Sequence, residues 1–207
     1  MEKTDLSKLY KEYFTARALP QLVDIEAAHF ISITGKGDPS GEAFAASIQA
    51  LYTAAYGIKF SYKDLGKDFV VSKLEGLWQF DAEKYKGIGM SEAPAKIPRS
   101  EWEYRLLIRM PDFVERKIVE KAIPGIADKK ELADVKKVEW FDMNEGKCIQ
   151  LLHVGPYSTE PESLAKIAAF SAEHGLQQNG LHHEIYLSDF RKTAPEKLKT
   201  ILREPVK

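Results

Sequence analysis

The segment His182-His183-Glu184-Ile185-Tyr186-Leu187-Ser188-Asp189-Phe190 holds the chain's densest set of groups able to do chemistry. Read as a strand, it places His182, Glu184, Tyr186 and Ser188 on one face and Leu181, His183, Ile185 and Leu187 on the other, because side chains alternate along extended backbone. A carboxylate in mid-strand beside a phenol is either solvated surface or the lining of a cleft. In a cleft, burial raises its pKa or demands a cationic partner. Glu184 then acts as a general base or as a receptor for positive charge. Tyr186, on the same face, can donate a hydrogen bond to an oxygen that gathers negative charge.

Other chemistries find little support. His182 and His183 point to opposite faces and cannot grip one ion together, and His153 and His174 bring no obvious partner. No metal and no cofactor is expected. There is no P-loop, nucleophile elbow or dinucleotide fingerprint, and Gly35-Lys36-Gly37 reads as a strand-ending turn. Cys148, in an apolar run, reads as a small core hydrophobe.

A second set is aromatic: Tyr52, Tyr56, Trp78, Trp102, Trp140, Tyr157 and Tyr186 fall on several different elements. Each tryptophan alone reads as core. Gathered near Glu184, they would hold a flat, lipophilic or cationic ligand by stacking and cation–π attraction.

Composition narrows the partners. The 30 Lys and Arg nearly balance 31 Asp and Glu in 207 residues, so no basic excess exists to meet nucleic acid. The start MEKTDLSKLYKEYFT lacks the apolar core of a signal peptide. No run approaches the roughly 20 apolar residues that cross a bilayer. The expected place is the cytoplasm, with no membrane partner and no direct nucleic-acid partner.

The elements that must position these residues follow an α+β plan. Residues 1–25 read as a polar lead-in tethered by Tyr10, Tyr13 and Phe14. HFISITGKGD alternates as a half-buried strand, with Ile31 and Ile33 opposite Phe30, Ser32 and Thr34. A helix over about 41–58 carries Phe44, Ile48, Tyr52 and Tyr56 along one side. DFVVSKLEGLWQF is a strand broken at Gly76, and EWEYRLLIRMP alternates most clearly of all. Between them, about 81–100 reads as a mobile Gly-, Pro- and Lys-rich linker. A helix over about 112–122 ends near Pro124-Gly125. VEWFDMNEGKCIQLLHVGPY is a strand or a hairpin turning at Asn144-Glu145-Gly146. Thr159-Glu160-Pro161-Glu162 has capping-box spacing before a helix over about 161–174 that stops at Gly175. HHEIYLSDF and KLKTILREPVK are the closing strands. Aligning Gly35 with Gly155 brings Phe44 onto Leu164 and Ile48 onto Ala168, which suggests a duplication with halves of about 26–111 and 112–207 inside one domain.

With these pieces in place, FISITGKGDPSGEAF, ALYTAAYGIKFSYK, LEGLWQF, WEYRLLIRMPDFV, LLHVGPYSTEP and HHEIYLSDFRKTAPEKLKTILREPVK together resemble the GyrI-like small-molecule-binding family, in particular its free-standing bacterial members. The resemblance runs from about residue 20 to the end. It implies duplicated β-α-β-β units, antiparallel sheet, and a hydrophobic pocket between the halves. It also implies that Glu184 is the counterpart of a buried glutamate that meets cationic drugs in multidrug-sensing regulators. Phe190 departs from the family's frequent proline, which bears on the following loop and leaves Glu184 and Tyr186 intact. Some stand-alone members hydrolyse cyclopropane-bearing alkylators as detoxification. Others bind DNA gyrase, and others are effector-binding halves of regulators.

Three functions therefore stand open: a hydrolase of cyclopropanoid electrophiles, a non-catalytic multidrug or toxin binder, and a gyrase-modulating interaction protein. Fold kinship does not choose among them.

Overall fold

The computed structural model describes residues 3–207. Its frame is an antiparallel sheet of eight strands: β1 (Gln21–Ile25), β2 (Ala28–Lys36), β3 (Leu74–Gln79), β4 (Glu103–Arg109), β5 (Glu139–Met143), β6 (Gly146–Val154), β7 (His182–Tyr186) and β8 (Lys199–Pro205). They lie in the order β1-β6-β8-β7-β3-β4-β2-β5. From one edge inward the sheet runs β1-β6-β8-β7, and from the other β5-β2-β4-β3. β6 and β2 each lead through a helix to an inner strand, so the two runs repeat one plan and meet where β7 pairs with β3. The fold is α+β, as expected.

Each edge strand comes from the other half of the sequence than the strand it pairs with. β1 pairs with β6, and β5 with β2. The segment 139–154 is consequently not a hairpin: β5 and β6 follow one another in sequence yet lie at opposite ends of the sheet. An Asn-Glu-Gly turn is compatible with either arrangement, and the choice falls to pairing of Phe30 with Phe141 and Ile31 with Trp140. The polar lead-in likewise supplies strand β1, a short helix α1 (Leu6–Leu9), and buried Tyr13 and Phe14.

One face of the sheet carries the long helices. α2 (Glu42–Asp64) lies over β2 and β4, packing Ala50, Leu51, Ala54, Ala55 and Ile58 against Ile31, Ile33, Leu106 and Ile108. Small alanines let the helix come close to the strands, so the true core stripe is this one. The aromatic stripe Phe44-Ile48-Tyr52 lies on its half-buried flank. The remaining helices are the short α3 (Ala93–Lys96) and the longer α4 (Arg116–Lys130) and α5 (Glu160–Glu173), of which α5 covers β6 and β8 through Leu164 and Ile167.

Several local expectations are corrected. α4 runs through Pro124, where a helix end was expected. A proline forfeits one backbone hydrogen bond, while Val119, Ile123 and Ala127 keep the helix seated on the core. β3 is continuous through Gly76. The 81–100 stretch contains α3 and buries Ala93 and Ile97, giving it anchors that its Gly and Lys content hides. Thr159 is the residue before α5, but its hydroxyl bonds the Pro156 carbonyl at 2.8 Å in place of closing a capping box.

The opposite face is closed by the N-terminal segment. Leu6, Tyr13 and Phe14 pack on Phe30, Leu77, Leu107, Ile185 and Ile201. No helix among the described residues is long and apolar enough to cross a membrane.

Candidate functional site

Because α2 covers β2 and β4 while α5 covers β6 and β8, one face of the central strands β3 and β7 lies between the helices, and this inter-helix face is the groove of the candidate site. Alternation aims Leu74, Gly76 and Trp78 of β3 and His182, Glu184 and Tyr186 of β7 onto this floor. Gly76 pairs with Glu184 and Trp78 with His182. β8 adds Thr200 and Glu204 on the same face, with Thr200 beside Tyr186 in register.

The floor is a row of ionisable groups under aromatic rings. Both ring nitrogens of His182 are engaged: Nδ1–H donates to Glu204 Oε1 at 2.7 Å and Nε2–H to Glu184 Oε1 at 3.2 Å. Burial alone would lower the His182 pKa, but the two carboxylates outweigh it and raise it to about 10. The ring is an imidazolium at neutral pH. Trp78 Nε1–H donates to the Tyr186 hydroxyl at 3.1 Å. Burial first, then the Glu184 charge, pushes the Tyr186 phenol well up, so it keeps its proton beside Glu184.

Aromatic rings line the groove from both sides. Trp78 stacks on Phe44 (centroids 5.7 Å apart) and meets Trp102 edge-on at 6.1 Å. Tyr157, 40% exposed before the start of α5, meets Tyr186 edge-on at 6.1 Å. Burial, then Glu160 and Glu184, raise the Tyr157 phenol to about 12. Tyr52, half-buried on α2, is pushed up by burial and then by Asp189 of the β7–β8 loop.

Two of the sequence candidates stand apart from this group. Tyr56 is largely exposed on α2, beside Phe60. Trp140 lies on edge strand β5, with Nε1–H on Asp142 at 2.7 Å and its ring beside His29. It lines a separate cleft of about 390 Å³ under α4, with Ile123 and Pro124. Helical and strand periodicity give a face, and several faces of one domain never meet.

The sequence reading missed Glu160 and Glu204. Glu160 is the first residue of α5, buried, with Oε1 lacking any partner. Its place in an apparent capping box concealed it. Glu204 belongs to the Thr200-Leu202-Glu204 alternation of β8, which aims it onto the same floor as His182.

Beneath the floor, on the sheet's other face, lies a fully buried ionic cluster. His183 donates to Glu145 Oε1 at 2.9 Å and to Glu75 Oε2 at 3.0 Å. Arg203 reaches Glu145 Oε2 at 3.1 Å and Gln150 Oε1 at 3.0 Å, and the Tyr13 hydroxyl donates to Glu75 Oε2 at 2.5 Å. Burial works against the Glu145 charge, yet His183 and Arg203 prevail and lower its pKa to about 2. The cluster holds two carboxylates against two cations. It clamps the N-terminal segment, β6, β7 and β8 together directly behind Glu184. No group of three or more His, Cys, Asp or Glu among the described residues has the arrangement of a metal site.

An α+β sheet of two like runs, with an acidic, aromatic-lined groove where they meet, defines a small-molecule-binding protein. The chain belongs to the GyrI-like small molecule binding domain family, whose profile matches residues 117–207. It is 36% identical to a conserved protein from Listeria innocua across 99% of this chain and 100% of that one, with a TM-score of 0.87. A protein described as a hydrolase, also from Listeria innocua, matches with 36% identity, a TM-score of 0.84 and the same coverage. The EcmrR C-terminal domain shares the fold at 9% identity and a TM-score of 0.58, over 91% of this chain and 96% of that domain. No curated protein matches the chain in sequence.

Proposed function

We propose that the groove takes a flat, lipophilic small molecule over Trp78 and Tyr186 and hydrolyses a strained ring on it, with Glu184 as the base. The observation that carries this reading is the Glu204–His182–Glu184 row. With both ring nitrogens protonated, His182 cannot accept a proton, and it orients the carboxylate that can. A base held by a second group, itself held by a third, is the general arrangement for activating a nucleophile.

On a cyclopropane conjugated to a carbonyl, Glu184 accepts a proton from water as the water oxygen bonds to the least hindered ring carbon. The ring C–C bond breaks, and its electron pair moves to the carbonyl oxygen. Tyr186, kept protonated and anchored by Trp78, holds the carboxylate's surroundings fixed. Tyr157 stands at the groove's open side, where its hydroxyl can meet the developing negative charge. Ring strain supplies much of the driving force, so orientation and one base carry the catalysis. The Listeria innocua relative described as a hydrolase supports the reading. In the cytoplasm such an activity would detoxify alkylating compounds.

A second reading has its own observation. Glu184 and Glu204 carry two negative charges against one on His182, which leaves one net negative charge beneath aromatic rings. That suits a cationic aromatic ligand that is bound and not turned over.

Mass spectrometry separates the two. A cyclopropane-bearing alkylator is incubated with wild type, with Glu184→Gln protein, and alone. Hydrolysis predicts faster addition of water with wild type only. Equal rates in all three arms, with the compound still bound, would leave the receptor reading.

A further inference from the structure

We propose that Glu160 is the proton donor of the groove, protonating the substrate oxygen that becomes anionic while Glu184 takes a proton from water. The assignment rests on the hydrolytic reading and adds the half of the reaction that Glu184 cannot perform.

Glu160 opens α5 at the groove wall. It is only 8% exposed, and its Oε1 is buried with no hydrogen-bond partner. A polar atom buried without a partner is costly, so its retention here points to a partner that arrives with the ligand. The groups facing Glu160 come from three elements: Glu184, His182 and Tyr186 on β7, Thr200 on β8, and Tyr157 just before α5. Burial first, and then the Glu184 charge, hold the Glu160 carboxyl well above the usual carboxylate range, against the opposing pull of His182 and Thr200. Two neighbouring carboxyl groups in unlike environments can divide the acid and base roles between them.

The other protonated groups of the floor are committed elsewhere. His182 spends both N–H groups on Glu204 and Glu184. The Tyr186 oxygen accepts from Trp78, and its phenol is pushed far above neutrality, which makes it a poor acid. Tyr157 is raised to about 12 and suits a hydrogen bond better than a transfer. Among these groups Glu160 combines a carboxyl held above its usual range with a buried oxygen, Oε1, that has no hydrogen-bond partner.

The step balances. Water gives its oxygen and one hydrogen to the ring carbon as a new hydroxyl, and its second hydrogen goes to Glu184. The broken C–C bond delivers its electron pair to the carbonyl oxygen, which takes the Glu160 proton. The proton on Glu184 then returns to Glu160 as product leaves, so both residues end as they began.

The test uses spirocyclopropyl cyclohexadienones, whose opening yields phenols, with ring substituents that vary the phenol's acidity. Turnover by wild type and by Glu160→Gln is followed by mass spectrometry, and folding by thermal melt. A general acid contributes roughly 100-fold or more. Glu160→Gln should therefore slow substrates that give weakly acidic phenols by about that factor, and leave those giving strongly acidic phenols near the wild-type rate. Glu160→Asp should recover part of the loss. Wild-type rates in Glu160→Gln across the whole series would overturn the Glu160 assignment alone. No turnover of any member by wild type would overturn the hydrolytic reading and this inference with it.

Discussion

Glu184 of β7 stands opposite Gly76 of β3, so the carboxylate meets no side chain across the central ladder. The space Gly76 leaves is occupied by the contact between Trp78 and Tyr186. A Cβ added at Gly76 would lie 3.0 Å from Trp78 Nε1 and 3.2 Å from the Tyr186 hydroxyl. Gly76→Ala must therefore push these two groups apart by a few tenths of an ångström. We expect a folded protein destabilised by about 1 kcal/mol, as for mild overpacking, but with ligand affinity reduced about tenfold. Thermal melts and tryptophan quenching by the alkylator would check both numbers.

The buried charges set a pH window for stability. His182 has a folded pKa of about 10, above its unfolded value of about 6.5. Its contribution is complete below pH 6.5 and is lost as pH rises toward 10. Glu145, lowered to about 2, contributes fully above its unfolded value of about 4.3 and loses that contribution as pH falls toward 2. Glu160, raised by burial, loses its contribution as pH climbs above about 4.3, so the melting temperature should be highest toward the acid end of the interval from about pH 4.5 to 6.5 and decline on both sides. Glu204→Gln removes the nearest partner of His182 and so lowers its folded pKa; the alkaline decline starts from the same unfolded value but should be smaller and complete at a lower pH than in wild type. A coincident pair of curves would count against the His182 assignment.

Arg203 is wholly buried and neutralises the cluster behind the floor. Arg203→Met leaves Glu145 and Glu75 facing His183 alone. Breaking a buried pair on one side costs about 3–5 kcal/mol. Denaturant unfolding should show a loss of this size. A change below 1 kcal/mol would mean the cluster is not the clamp described.

His153 positions the groove's open side. A carbonyl can only accept, so Nε2–H donates to the Pro156 carbonyl at 3.2 Å, and Nδ1 accepts from the Ser163 hydroxyl at 2.9 Å. This ties β6 to the turn that presents Tyr157 and Glu160. His153→Ala leaves the buried Ser163 hydroxyl unpaired, at about 1–3 kcal/mol. The combination His153→Ala with Ser163→Ala should recover much of that stability. Recovery of stability without recovery of ligand affinity would show that the loop's position, and not its energy, matters.

Much of the fold was legible because strand faces alternate strictly. The set His182, Glu184 and Tyr186, and the faces of β2 and β4, could be read from spacing alone. What escaped depends on long-range pairing. Nothing local in Asn144-Glu145-Gly146 tells a hairpin from a turn that sends β5 and β6 to opposite edges. Gln21–Ile25 is too short and mixed to announce a strand until β6 lies beside it. Pro124 signals a helix end, yet burial of Val119, Ile123 and Ala127 overrides it. The candidate site was half visible for the same reason. Glu184 and Tyr186 share one strand, whereas Glu160 and Glu204 reach them from α5 and β8, and Trp140 stands on an edge strand away from them.

The location of the ligand is the central claim, and two tryptophans distinguish the two clefts. Affinity for the cyclopropane-bearing alkylator would be measured by quenching of the remaining tryptophans in Trp78→Phe and Trp140→Phe. The groove over β3 and β7 predicts that Trp140→Phe binds as wild type does, while Trp78→Phe weakens binding about tenfold or more. Unchanged affinity in Trp78→Phe with loss in Trp140→Phe would place the ligand in the cleft under α4 and contradict the account.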